Sequence, residues 1–548
     1  MSEPAADAPA IAPSSGRRAV RVALGILSSR LLGFVRDRLV AHFFGVGAHA
    51  DVFRTALRGP NLLQNLLGEG TISATFIPVY SRLLRQGREE DAGRLAGAVF
   101  GLLLAAAAGL TLIGALLARP IVALLAPGFL GDAAGGAPVD RFALAVTTVR
   151  IMFPMAGLLV LSAWALGVLN SHRRFFLPYF APVLWNAAII AALVAVGSGG
   201  AASRDRLLIA ACVGALVGGG LQFAVQLPLV ARLVRGFRVS FSAGDSAVRE
   251  TLRGFVPVVA ARGVVQIGAY LDGFMASFLA VGAVAALGYA QALYVLPISL
   301  FAMSVAAAEL PELAAEAEER HLLLARLVRG VRRTAFWILP AAVGYLAFGL
   351  PIVGALYRTG SFGGGENVLV YLVLAGYSLG LVAAGVSRVL ASFFYATRDP
   401  RTPSRVAGVR VLVSAGLSVP AMLLLDRLRL ADLGLAEAGS GLRLGAVGLA
   451  LASGVAAWVE LARLLRVLAT RLPELALPWA ALAGMLAAAL AGALPAGLAW
   501  WLLRPLPPAL LAALVLPLYG LGYLGAARAL GIPEARDWLH HLRSRRQA

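Results

Sequence analysis

The run Asp51-Val52-Phe53-Arg54-Thr55-Ala56-Leu57-Arg58-Gly59-Pro60-Asn61-Leu62-Leu63-Gln64-Asn65-Leu66-Leu67-Gly68-Glu69 decides how this chain is read. Wound as an α-helix, Asp51, Arg54, Arg58, Asn61, Asn65 and Glu69 stay within a sector of roughly 80° along a rise of about 27 Å. The rest of the run is apolar enough to lie in a bilayer. Charges facing lipid there would cost about 2.5–3.5 kcal/mol each at mid-depth. The stripe therefore faces a watery cavity or charged partners inside a helical bundle, as in a membrane transporter with a polar interior.

Composition agrees. Of 548 residues 59% are hydrophobic and only 14% charged, with a mean hydropathy of +0.82. A soluble chain carries nearer a quarter charged residues. Apolar stretches of about 20 residues recur from end to end, each long enough to span a bilayer as a helix. They are continuous and do not alternate, which excludes a β-barrel. The net charge of +20 comes from arginines clustered in every second connection, such as Arg82, Arg85 and Arg88 or Arg326, Arg329, Arg332 and Arg333. The alternate connections are poorer in arginine by roughly threefold, the positive-inside pattern. Both termini then fall on the basic, cytoplasmic side of the membrane, and nucleic acid is not needed to explain the charge.

Hydropathy yields an all-α polytopic membrane protein of about fourteen spans, the first at roughly 19–43, the second at 51–80 and the seventh at 250–279. Residues 1–18 read as a disordered cytoplasmic tail and 533–548 as a basic amphipathic one. Gly59-Pro60 and the Gly68/Gly70 pair predict a kink or unwinding in the second span. Asn170-Ser171-His172-Arg173-Arg174 echoes Ala396-Thr397-Arg398-Asp399-Pro400-Arg401. This weak repeat divides the chain into six-helix bundles at 19–235 and 236–470, plus two further helices at 471–532. Such a transporter binds its cargo between the halves.

There is no phosphate-binding loop and no lysine anywhere, so ATP is not expected to be bound by this chain. The six histidines are scattered or lie in the basic tail and make no metal signature, Cys212 reads as a small packing residue, and no nucleophile or acid–base constellation marks an enzyme. No cofactor is expected. What remains is charge within the spans: Arg30, Arg36, Arg54, Arg58 and Arg262 against Asp37, Asp51, Glu69 and Asp272, with Gln64 and Gln266 nearby. These groups could simply be structural ion pairs, such as Arg30–Asp37 or Arg54–Asp51. An excess of permanently charged planar forks also suits a polyanionic cargo, phosphate above all. The four carboxylates are then candidates for coupling transport to a cation, a proton or the membrane potential.

Ser29-Arg30-Leu31-Leu32-Gly33-Phe34-Val35-Arg36-Asp37, then Asp51, Pro60-Asn61-Leu62-Leu63, Gly68-Glu69-Gly70, Phe76 and Pro78 form a long N-terminal pattern. Arg174-Phe175, Pro178, Ala181-Pro182, Pro257, Gln266, Phe274 to Leu279, Phe394-Tyr395, Asp399 and Thr402-Pro403 follow in order. Together they resemble the MurJ/MviN family, lipid II flippases of the multidrug/oligosaccharidyl-lipid/polysaccharide exporter superfamily. The resemblance implies alternating access between two bundles. It implies that lipid II, the undecaprenyl-diphosphate-linked peptidoglycan precursor, passes from the inner to the outer leaflet. It further implies that Arg30 and Arg36 match cavity arginines, and that the last two spans offer the polyprenyl tail an apolar groove. Membrane lipids, and wall-synthesis proteins, are the other partners it implies.

Two departures stand out. Gln64 and Asn65 follow Pro-Asn-Leu-Leu where the family usually has arginine, and Ala290-Gln291-Ala292 stands where it often has Ala-Asp-Arg. Arg54 or Arg58, and Arg262, are the expected compensation. The departures leave room for another polyprenyl-linked glycan as cargo, or for a non-transporting scaffold in wall synthesis. A drug antiporter fits less well, because it would want a net negative cavity.

Overall fold

The computed structural model describes residues 15–134, 139–200, 202–315 and 319–538. The chain begins with α1 (Ser15–Phe44), α2 (Ala48–Leu67), α3 (Glu69–Arg85) and α4 (Glu89–Leu116). The short α5 (Ala118–Leu125) and α6 (Leu130–Ala134) lead to α7 (Arg141–Ser171), and α8 (Phe176–Phe180) leads into α9 (Pro182–Gly197). Next come α10 (Arg204–Ala224), α11 (Leu227–Leu233), α12 (Ser246–Ala276), α13 (Ala283–Pro297) and α14 (Met303–Ala315). The last seven are α15 (Arg320–Tyr357), α16 (Gly364–Ser378), α17 (Leu381–Ala396), α18 (Arg401–Leu425), α19 (Gly445–Arg471), α20 (Trp479–Leu502) and α21 (Pro508–Ala529).

Ten helical segments among the described residues are long and apolar enough to cross a membrane, and the bent pair α16–α17 makes an eleventh. The segments that miss this standard are α1, α2 with α3, and α12. Each is long enough to cross, and each carries the intramembrane arginines and carboxylates read from the sequence. Counted with them, the helical segments long enough to cross number fourteen among the described residues. The protein is an all-α, multi-pass membrane protein. Of the expected tails, residues 1–14 and 539–548 lie outside the described residues, whereas α1 already includes Ser15 to Arg18 and 533–538 are helical.

The described chain forms two compact units. The first holds residues up to Leu39, Thr55–Leu125 and Phe142–Ile267; the second holds Val40–Arg54, Ala126–Arg141 and everything from Gly268. Helices α1, α2, α7 and α12 thus contribute to both.

In the first unit the core gathers Ile72, Phe76 and Tyr80 from α3, Val99 from α4 and Trp164 from α7. Trp164 Nε1 donates to the Ala96 carbonyl at 3.1 Å, which satisfies the one polar atom of a buried indole. Gly93, Gly97 and Gly101, four residues apart on α4, lie against the backbone of Arg235, Arg238 and Ser240, so the strap after α11 rests where a Cβ would collide. Small residues let backbones approach this closely in membranes.

The second unit has its own core where α15 meets α20 and α21. Pro340 lacks the N–H that the Phe336 carbonyl would accept within α15. The Tyr523 hydroxyl donates to that carbonyl at 2.6 Å, and Tyr519 donates to the Pro340 carbonyl at 2.8 Å. Tyr523→Phe would leave a buried carbonyl without its donor, at a cost of about 1–3 kcal/mol. A lower melting temperature with unchanged helix content is the expected outcome.

The sequence echo has a geometric counterpart. Arg173 (φ 59°) and Arg398 (φ 58°) are the non-glycine residues with positive φ among those described. Each closes a helix in the same way. Arg173 and Arg174 amides donate to Asn170 and Leu169 at 3.0 and 2.8 Å, and Arg398 and Asp399 amides donate to Tyr395 and Phe394 at 3.1 and 2.8 Å. A left-handed turn costs a non-glycine residue roughly 1–2 kcal/mol, and both helix ends carry that cost. Beyond the second turn, the Thr402 hydroxyl and Arg471 hold the Asp399 carboxyl down at about 2. Its native value lies below its unfolded one, so this group stabilises fully above pH ~4 and loses that contribution as pH falls towards 2. In acid titrations of thermal stability, Asp399→Asn is expected to flatten this limb.

Candidate functional site: arginines held on broken and charged helices

The stripe on α2 does not continue as one helix. α2 runs through Pro60 but stops at Leu67, and Glu69 opens α3. The expected break therefore falls at Gly68 and not at Gly59-Pro60. Breaking there frees carbonyls that side chains then take up. The Thr71 hydroxyl donates to Leu66 O at 2.5 Å, and Arg262 Nη1 donates to Asn65 O at 3.2 Å. Gly70 lies against the same guanidinium, which a Cβ there would displace. Glu69, exposed at the start of α3, is within reach of the Tyr179 hydroxyl and the Arg262 charge. Arg262 thus sits at the α2–α3 break, and Gln266 lies one turn further along α12. The buried Gln266 Nε2 makes no hydrogen bond among the described residues.

Arg36 is held on several sides within the first unit. Its Nε and Nη2 donate to Asp37 Oδ1 at 3.1 and 2.9 Å, Nη1 donates to Asn186 Oδ1 at 3.0 Å, and the Trp185 ring lies 5.1 Å from its Cζ. Its side chain is 14% exposed. Arg30 and Arg58 are half-buried in the same unit, with Asn61 and Gln64, while Asn65 is exposed.

The remaining charges belong to the second unit. Asp51 is 0% exposed and takes three donors: Arg141 Nη1 at 3.2 Å and the amides of Gly282 and Ala285 at 2.7 and 2.8 Å. Gly282, at φ 95°, holds the left-handed turn that opens α13 and aims its amide at this carboxylate. Arg141 also binds Asp132 at 2.5 and 2.9 Å and packs over Phe129. Asp51 thus finds a charged partner, and that partner is Arg141. An arginine isolated in an arginine-poor connection was the available signal for it. Arg54 lies 4.8 Å over the Tyr289 ring. Asp272 accepts from the Tyr377 hydroxyl at 2.9 Å, and that hydroxyl accepts from Gln291 Nε2, also at 2.9 Å. Close by, Arg410 and Glu460 pair at 2.8 Å between α18 and α19, within electrostatic reach of Asp272. Sequence reasoning missed Arg410 and Glu460, although a cation and an anion in adjacent apolar spans already hinted at a pair.

The family model for the lipid II flippase MurJ matches residues 40–519. This chain belongs to that family. The lipid II flippase MurJ of Burkholderia cenocepacia is 34% identical over 399 residues, covering 72% of this chain and 75% of the relative. Among solved structures, a lipid II flippase MurJ in an inward-closed conformation superposes with a TM-score of 0.74 at 21% identity, covering 95% of this chain and 100% of that one. An inward-facing MATE transporter of the MOP superfamily reaches 0.63 at 16% identity, covering 84% and 98%. These two structural likenesses speak for the fold. Against the family pattern, Gln64 is half-buried on α2, while Gln291, next to Ala292, is committed to Tyr377.

Proposed function

We propose that this protein is a lipid II flippase, a transporter and not an enzyme, moving the undecaprenyl-diphosphate-linked peptidoglycan precursor from the inner to the outer leaflet. Membership of the MurJ family over residues 40–519 carries this reading. The chemistry supports it, because the helices too charged to be simple lipid-facing spans are those bearing Arg30, Arg36, Arg54, Arg58 and Arg262. Guanidinium forks bind phosphate oxygens in pairs. In the proposed cycle the diphosphate enters from the cytoplasmic side, meets these arginines with the amides of Asn61, Gln64, Asn65 and Gln266, and leaves when the other side opens. The polyprenyl tail stays in lipid throughout. We further propose that the protein lies in the bacterial inner membrane with both termini cytoplasmic.

Arg262, at the α2–α3 break, is our candidate for the charge missing at Gln64. Of the four carboxylates, Asp37 and Asp51 are bound to arginine and Glu69 lies near one. All four stay our candidates for coupling, Asp272 among them as an acceptor from the Tyr377 hydroxyl. Moving one charge through 100 mV yields about 2.3 kcal/mol, enough to bias a cycle driven by potential or a cation.

Complementation of a conditionally flippase-depleted bacterium tests the assignment. Growth and normal shape are expected with this chain and should be lost with Arg36→Ala. Failure of the parent chain, inserted in the membrane at normal levels, would overturn the cargo assignment. An Arg58→Ala, Arg262→Ala pair that still complemented fully would end the compensation reading.

A further inference from the structure

We propose that Asn186 on α9 is the positioning residue for the Arg36 anion fork, with Trp185 as its floor; this rests on the reading that Arg36 meets the cargo diphosphate. Asn186 is 4% exposed. Its Nδ2 donates to the carbonyls of Ser29, at 3.4 Å on α1, and Pro182, at 3.2 Å on its own helix. With both amide hydrogens committed to carbonyls, the oxygen is the atom left to face Arg36, so the side chain cannot usefully flip. That oxygen takes one N–H of Nη1, while Asp37 takes Nε and one N–H of Nη2. A guanidinium has five N–H groups. One therefore remains on each terminal nitrogen, the pair a phosphate oxygen edge requires.

The neutral character of Asn186 is the chemical point. Asp37 already offsets the Arg36 charge once, and a second carboxylate would make the group net negative and repel a diphosphate. An apolar residue would leave Nη1 unheld, and the fork could rotate about its long stem. The indole of Trp185 is itself fixed, its Nε1 donating to the Met155 sulfur at 3.1 Å. Its ring lets the guanidinium stack without spending an N–H.

The test uses the full chain in nanodiscs, with undecaprenyl diphosphate as probe and undecaprenol as the phosphate-free control. Asn186→Asp, nearly isosteric, is expected to bind the diphosphate at least tenfold more weakly with undecaprenol binding unaltered, and to melt somewhat lower because its second oxygen cannot donate to the Ser29 and Pro182 carbonyls. Asn186→Ala is expected to weaken binding several-fold in the parent and to change nothing further in an Arg36→Ala background. Wild-type affinity in Asn186→Asp, or equal losses of Asn186→Ala in both backgrounds, would overturn the inference. A second readout is independent of the cargo: phenylglyoxal modification of the Arg36 peptide, followed by mass spectrometry, should accelerate several-fold in Asn186→Ala. If the parent bound no diphosphate lipid, the cargo reading would fall, and this rate alone would decide the positioning role, an unchanged rate overturning it.

Discussion

Arg36→Lys is expected to fold normally yet lose at least tenfold in diphosphate-lipid affinity and most of its ability to support growth. Lysine keeps the positive charge beside Asp37, so the carboxylate, whose side chain is 7% exposed, retains a neutralising partner. It cannot reproduce the fork. The guanidinium serves Asp37 and Asn186 at once and still has an N–H on each terminal nitrogen, whereas an ammonium has three donors on one atom. Hydrogen bonds to charged groups contribute about 1.5–3 kcal/mol each, and 1.4 kcal/mol is already a factor of ten. Arg36→Ala should lose more affinity and also stability, because Asp37 would lose the charge beside it. Lipid binding and thermal melting on the same samples separate the two effects. A lysine variant that bound and complemented like the parent would show that charge alone suffices at this position.

The largest effect on stability is expected from Arg141→Ala. Arg141 is 4% exposed and bridges Asp132 to the fully buried Asp51. Removing it leaves Asp51 with two backbone amides and no neutralising charge. Breaking a buried pair in this way costs about 3–5 kcal/mol, which should appear as a fall in melting temperature of roughly 5–10 °C. Adding Asp51→Asn to Arg141→Ala should recover part of that loss, since the uncompensated charge is then gone. Recovery would locate the damage in the lone carboxylate. If the double variant melted lower still, packing of Arg141 over Phe129 would be the dominant contribution.

Much of this molecule was readable before its coordinates. The apolar runs announced the spans because a helix crossing lipid must be about 20 residues long whatever surrounds it. The sequence echo around Arg173 and Arg398 has matching left-handed turns in the structure. The break in the second span was foreseen at two places, and it falls at one of them. Pro60 is accommodated within α2, and the helix ends instead at Gly68, where Thr71 and Arg262 are at hand to take the freed carbonyls. Arg262 could be read as a charge in span seven, yet its contact with Asn65 joins residues 197 positions apart.

The amino-acid sequence by itself determined the class, the excess of arginine over carboxylate and the family. All of these follow from composition and from order along the chain. Only the tertiary structure decided which partner each charge received: Asn186 for Arg36 across 150 positions, Arg141 for Asp51 across 90, and Tyr377 for Asp272 across 105. Helical periodicity sets the direction in which a side chain leaves its own axis. It is silent about which neighbouring helix stands there, and in a low-dielectric interior that neighbour decides whether a charge is sealed or able to bind.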